Sequence, residues 1–145
     1  KKLVFVVEAL RRVREARPRL VAEIETEAGE RLRIDCALAI VAKAAHYGGP
    51  HRLTVATASE RPGLRFVALL DDRPARLAEA AARLAVGRLE ASANVVSLAV
   101  TRVRLTAADG ADTPVQIDGE PHGIAPIEAW ASPTALDLIV AAEPV

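Results

Sequence analysis

The spacing of apolar residues changes along the chain, and each change marks a boundary between elements. Leu3, Phe5, Val6, Val7, Leu10 and Val13 fall largely on one face at helical spacing, with Arg11, Arg12, Arg14 and Glu15 opposite. An amphipathic leading helix stopped by Pro18 is therefore expected. From Leu20 the period drops to two: Leu20, Ala22, Ile24 and Thr26 alternate with Val21, Glu23 and Glu25, and Ala28-Gly29 turns the chain into residues 31–35. That pattern predicts a β-hairpin. Residues 36–42 form an unbroken apolar run, expected as a central strand, before a turn at Gly48-Gly49-Pro50. A short strand is expected at residues 53–56, a polar loop at 59–63 and another strand at 64–70. Asp71-Asp72 then offers an N-cap and Pro74 suits the first helical turn. The alanine-rich stretch 75–86 is the crossing helix, with Leu77, Ala81 and Leu84 on one face and Gly87 at its end. Val96, Leu98 and Val100 alternate, but Val103 and Leu105 resume one residue out of step, which predicts a bulge near Thr101-Arg102. Further strands are expected at 114–117, 124–131 and 136–140. Many short strands with two helices define an α+β domain, most simply a two-layer, mainly antiparallel β-sandwich.

Composition narrows the function classes. The 145 residues suit one domain with a substantial core, since 51% are apolar. Nineteen basic residues balance nineteen acidic ones, and two Phe, one Tyr and one Trp offer few stacking platforms, so the chain has neither the field nor the surface for nucleic acid. Cys36 is the only cysteine, which excludes an intrachain disulfide and a multi-cysteine zinc site and suits a reducing cytosol. The longest apolar runs fall far short of the roughly 20 residues that span a bilayer. Glu8 and Arg11-Arg12 interrupt the apolar start, unlike a signal peptide. A cytoplasmic protein is expected. Peripheral contact with the inner membrane face would come from Arg11, Arg12, Arg14, Arg17 and Arg19, a row that a solvated helix face explains better. His46, His51 and His122 lack the spacing of a zinc centre.

Candidate chemistry concentrates in two punctuated segments. In Val115-Gln116-Ile117-Asp118-Gly119-Glu120-Pro121, an Asp-Gly pair follows a short apolar strand. One reading is a hairpin turn, because glycine tolerates the positive φ that tight turns need. In that case Asp118 is a turn acid bonding its own backbone. The other is a carboxylate pair: on an extended strand Asp118 and Glu120 would share a face, and the pair would raise one carboxyl's pKa towards that of a general base. A turn at Gly119 would send them apart. Upstream, an apolar strand runs through Lys43 into His46-Tyr47-Gly48-Gly49-Pro50. Gly48 and Gly49, with Tyr47 beside them, either let the backbone approach a ligand closely or form a plain turn.

Taken in order, a strand ending in Tyr47-Gly48-Gly49, the strand Gly63-Leu64-x-Phe66-Val67-x-Leu69-Leu70, a helix, and then Val115 to Pro121 resemble the C-terminal half of the bacterial diacylglycerol kinase-like lipid kinases. The resemblance spans residues 3–140. It implies a β-sandwich closing a cleft against an N-terminal α/β domain, whose Gly-Gly-Asp-Gly-Thr-type loop holds ATP and Mg2+. It also implies phosphoryl transfer to a lipid hydroxyl, with Glu120 as general base and Asp118 orienting the turn or helping to bind metal. No such loop, Walker sequence or Gly-x-Gly-x-x-Gly occurs here. Residues 1–145 are therefore expected to be the lipid-side domain, incomplete at its N-terminal side and lacking the nucleotide-binding domain, with no metal ligand of its own assigned. Implied partners are the lipid substrate, that N-terminal domain and, through paired sandwiches, a second copy as a homodimer, although no stretch of sequence marks an interface.

Two positions depart from the family pattern. Lys43 stands where an Asn is usual, five residues before Gly48, and would either meet phosphate as a point charge or cap the strand's end. Thr54-Val55-Ala56-Thr57 replaces Ala-Pro-Asp-Ala, so the acid of a structural magnesium site is missing at Ala56. Both leave a second reading open, a non-catalytic lipid- or partner-binding sandwich. The Val115 to Pro121 segment argues against the related NAD-kinase type, while the acceptor lipid stays open among diacylglycerol, sphingoid bases and phosphatidylglycerol.

Overall fold

The computed structural model describes residues 19–47, 51–53 and 63–132. Their order is β1 (Leu20–Thr26), β2 (Arg31–Cys36), β3 (Leu38–Ala42), β4 (His46–Tyr47), β5 (His51–Arg52), β6 (Leu64–Leu69), α1 (Pro74–Ala85), a 3-10 turn (Leu89–Ala91), β7 (Val95–Ala107), β8 (Pro114–Ile117), β9 (Glu120–Ile124) and β10 (Ile127–Trp130). The main sheet runs β2-β1-β7-β6-β3 with every neighbour antiparallel. β1 covers residues 100–107 of the long strand β7 on one edge, whereas β6 (residues 95–100) and β10 (residues 102–105) lie end to end along the other. This is the mainly antiparallel α+β domain that the alternation predicts. The leading helix and the strand at 136–140 lie outside the described residues, as does most of the strand expected at 53–56.

The predicted bulge organises the core. Glu25 pairs with Arg102 and Thr26 with Val100, so Thr101 has no residue opposite it. Its Oγ1 donates instead to the Glu25 carbonyl at 3.3 Å. The extra residue restores parity, placing Val100 and Val103 in the same cluster and bending the strand. That cluster gathers Leu20, Ala22 and Ile24 of β1, Cys36 of β2, Phe66 and Ala68 of β6, and Val100, Val103 and Leu105 of β7. Ala39 and Val41 of β3 pack against it too, so the sheet curls until the two ends of its strand order share one core. On the opposite face Val67, Leu53, Ala80 and Leu89 form a second cluster, with Ile40 and Leu84 packed against it.

Several expectations change. The run 36–42 is not one central strand: the chain bends at Ala37, and β3 is the last strand of the order among the described residues. It is apolar throughout because Ala39 and Val41 face one cluster while Ile40 and Ala42 face the other. The helix N-cap is Arg73, without a side-chain bond, ahead of Pro74. Asp71 instead accepts a 2.8 Å bond from the Arg73 backbone N–H, which, with the Arg73 guanidinium, holds its carboxyl below the usual range. Ala80 is the buried alanine of α1, not Ala81, so the inner face follows Leu77, Ala80 and Leu84. At the helix end Gly87, at φ +68°, donates to Leu84 O at 3.0 Å and Arg88 to Arg83 O at 2.8 Å, a Schellman closure. The strand expected at 124–131 is divided into β9 and β10 at Ala125-Pro126, since proline has no N–H for a ladder.

Packing at Gly63 and at Cys36 sets measurable outcomes. Gly63, at φ +103°, enters β6 where an added Cβ would lie 2.1 Å from Glu27 Oε1. The carboxylate can swing away, but the backbone strain remains, so Gly63→Ala should cost about 1–3 kcal/mol in urea unfolding. Cys36 is fully buried, and burial pushes its thiol up from 9.0 to about 11. A thiol-reactive chromophore at pH 8 should label Cys36 only after denaturation. Stability should also fall as pH rises from 9.0 towards about 11, because the unfolded thiol ionises first.

Candidate functional site

The segment with the richest candidate chemistry forms a hairpin of its own. β8 and β9 pair with each other and with no other strand among the described residues. Ile117 sits opposite Glu120, leaving Asp118 and Gly119 as the two corner residues, at φ +51° and +89°. Positive φ at both corners is the I′ pattern that Asp-Gly favours, because its twist matches that of the flanking strands. Asp118 is therefore a corner residue and forms no one-face carboxylate pair with Glu120. The geometry chooses between the two readings of this segment.

Glu120 opens β9, and its side chain is exposed with no hydrogen bond or ion pair among the described residues. Register puts it on one face of the hairpin with Ile117 and Val115, while Gln116 and Pro121 take the other. His122 is the extra residue of an irregularity, since Gln116 pairs with Pro121 but Val115 with Gly123. It too is exposed. The base of the hairpin is tied where Ala125 N–H donates to Thr113 O at 2.9 Å. Every residue from Gln116 to Ile124 is exposed, including Ile117 at 49% and Ile124 at 52%. A two-stranded hairpin is marginal by itself, so the turn and the tie at its base hold it. Both faces stay accessible.

The other candidates lie elsewhere on the chain. Lys43 follows β3, and its Nζ donates to the Gly63 carbonyl at 2.9 Å, tying the end of β3 to the start of β6. Tyr47 ends β4, with its backbone paired to His51 of β5, and the chain passes between them through Gly48 and Gly49, which lie outside the described residues. No strand ladder joins the Lys43–Tyr47 segment to the hairpin of Asp118, Gly119 and Glu120 among the described residues. No group of three His, Cys, Asp or Glu side chains suited to a metal occurs among them either.

The pattern of single strands concealed two features. One is a polar cluster where Arg65 Nε donates to Ser97 Oγ at 2.9 Å and its guanidinium meets Glu90 at 3.1 Å, fastening the 3-10 turn to β6 and β7. The other is a hollow of about 530 Å³ on the main sheet, lined by Glu23, Glu25, Arg31, Arg33, Arg102, Arg104 and Glu128, none of which belongs to the β8–β9 hairpin. There Arg102 Nε donates to Glu128, which raises the guanidinium's pKa and lowers the carboxyl's. Charged residues alternating along β1, β2 and β7 were the signal, but only register shows that they share a face.

A curled antiparallel sheet, one packed helix and a projecting Asp-Gly-Glu hairpin define a sandwich-like α+β domain. The family model described as the YegS C-terminal NAD kinase beta sandwich-like domain matches residues 1–140, and the chain belongs to that family. No curated protein matches the chain significantly. No helix among the described residues is long and apolar enough to cross a membrane.

Proposed function

We propose that this chain is the lipid-side domain of an ATP-dependent lipid kinase, in which Glu120 takes the proton of a lipid hydroxyl as its oxygen bonds to the γ-phosphorus of ATP and the bond to the bridging oxygen breaks to release ADP. The observation that carries the reading is the placement of Glu120. It is a carboxylate with no partner among the described residues, at the head of a projecting hairpin, with the apolar Ile117 and Val115 on its own face. A base must reach the proton it abstracts, and a carboxylate already committed to an ion pair would be a poor one. Apolar neighbours suit a lipid whose hydroxyl is presented from an acyl-bearing molecule.

ATP and Mg2+ belong in this proposal to the N-terminal nucleotide-binding domain of the same protein, consistent with a family described as C-terminal. When bound, the metal would neutralise charge on the transferring phosphoryl group. The role of this chain is then to present the acceptor, orient its hydroxyl and hold the proton at Glu120. Asp118 and Gly119 set the turn that aims it. The test is transfer of labelled phosphate from ATP to a panel of hydroxyl lipids. The full-length protein should label at least one lipid, and the isolated 145-residue chain none. Turnover by the chain alone would overturn the division between domains.

A second reading, a non-catalytic lipid- or partner-binding sandwich, draws on Lys43. Its ammonium is engaged with the Gly63 carbonyl, as expected of a residue that fastens strand ends. Failure of the full-length protein to label any lipid, while still binding vesicles, would favour this reading.

A further inference from the structure

Among the described residues β2 is paired along one edge only, with β1. Where that hairpin turns, Thr26 N–H donates to Glu30 O at 2.9 Å. Bonded and non-bonded pairs alternate along an antiparallel ladder, so counting on from this bond makes Ile24–Leu32, Ala22–Ile34 and Leu20–Cys36 the bonded pairs. The N–H and C=O groups of Arg31, Arg33 and Asp35 therefore point away from β1. Ala37 is next in that series, and its N–H donates to Leu69 O of β6 at 2.8 Å. The same edge of the chain is thus a working ladder from Ala37 onward and open at residues 31–35, because β6 ends at Leu69.

The open stretch carries none of the usual guards. Proline, a bulge or an inward-facing charge would blunt an edge, but the register of β2 with β1 is unbroken, and Leu32, Ile34 and Cys36 take the face of the first cluster. Leu32 is still 38% exposed there. On the outer face charge alternates from strand to strand. Glu128 of β10 stands beside Arg104 of β7, then Glu23 of β1 and Arg33 of β2, while Arg102, Glu25 and Arg31 follow in the next row. Arg31 and Arg33 close the alternation, exposed and with no side-chain hydrogen bond or ion pair among the described residues.

We propose that the open edge of β2 takes up an extended segment of a partner protein as an added antiparallel strand, with acidic residues opposite Arg31 and Arg33, a basic residue opposite Asp35, and apolar residues between them. The backbone groups of Arg31, Arg33 and Asp35 supply the ladder, and the alternating side chains select the sequence. Acids in the added strand continue the alternation of sign across the sheet. Its apolar residues extend the core over Leu32 and Ile34. Read from its N-terminus, the segment runs basic, apolar, acidic, apolar, acidic. None of these residues lies on the β8–β9 hairpin, so the docking stands or falls independently of the catalytic reading.

The test is fluorescence anisotropy of a labelled, end-capped peptide, Lys-Val-Glu-Val-Glu, with the full-length protein titrated to about 1 mM, the range of weak association. The peptide should bind at least about tenfold more tightly than Lys-Val-Lys-Val-Lys, since two facing pairs change from opposite to like charge. Arg31→Glu with Arg33→Glu should exchange that preference. N-methylation of the two Glu positions, whose N–H groups face β2, should abolish binding, whereas N-methylation of the two Val positions should leave it within about threefold, because those groups point away. Hydrogen exchange should show the amides of Arg31, Arg33 and Asp35 open in the protein alone and protected with the peptide. Should circular dichroism show that the charge-reversed variant is unfolded, the two N-methylated peptides decide the matter on the native protein. Absence of binding would reduce Arg31 and Arg33 to edge guards. That result, a folded variant with unchanged preference, equal effects of the two N-methylations, or amides already protected without peptide by another part of the protein or a second copy would each overturn the proposal.

Discussion

Glu120→Gln in the full-length protein should lower ATP-dependent lipid phosphorylation by about a hundredfold or more, with the loss in kcat and little change in KM for the lipid. Glutamine keeps the shape and polarity of the side chain but accepts no proton. Because Glu120 is exposed and has no partner among the described residues, the substitution should leave the unfolding midpoint within about 0.5 kcal/mol of native stability. An activity loss can then be assigned to chemistry. Asp118→Asn is the control on the neighbouring acid. Asparagine also tolerates the positive φ seen at this corner, so the turn should survive and activity should fall far less than for Glu120→Gln. Equal losses at the two positions would make the pair, and not Glu120 alone, the functional unit. Unchanged activity in Glu120→Gln would reduce Asp-Gly-Glu to a turn.

The largest stability effect is expected at Phe66. Its ring is fully buried, and on the sheet it lies between Val41 of β3 and Leu98 of β7, both directly opposite it in register. Phe66→Ala leaves a cavity at the centre of the first cluster and should cost about 3–5 kcal/mol. Against a typical total of about 5–15 kcal/mol, that loss should strongly reduce the folded population at physiological temperature. Thermal unfolding followed by circular dichroism would measure it. Ile117→Ala removes a comparable apolar side chain from the exposed hairpin and should cost under about 1 kcal/mol, since water already reaches much of that side chain. If both substitutions cost the same, the division between a packed sheet and a projecting hairpin would be wrong.

The bulge at Thr101 was legible because a parity slip between Val100 and Val103 has a single inexpensive solution in a strand buried on one face. Asp118-Gly119 was legible as a corner for a similar reason, since few residue pairs accept positive φ at consecutive positions. The break at Ala125-Pro126 is encoded in the same way, through the proline's missing donor, but apolar residues continuing on both sides mask it. The status of β3 was not legible. A continuous apolar run reports burial on both faces, which a central strand and the last strand of a curled sheet share when a helix covers the outer side.

What the chain determined by itself is local. It set which stretches alternate, where turns and caps interrupt them, and where an Asp-Gly-Glu corner would project, because those depend on φ preferences and on neighbours within a few residues. Tertiary structure decided what those stretches meet. It paired Lys43 with the Gly63 carbonyl, separated Glu120 from every partner among the described residues, and aligned the charges of β1, β2, β7 and β10 into opposed columns. Each of these rests on strand register across long sequence separations. Register follows from the summed burial of whole faces, which no single stretch of the sequence contains.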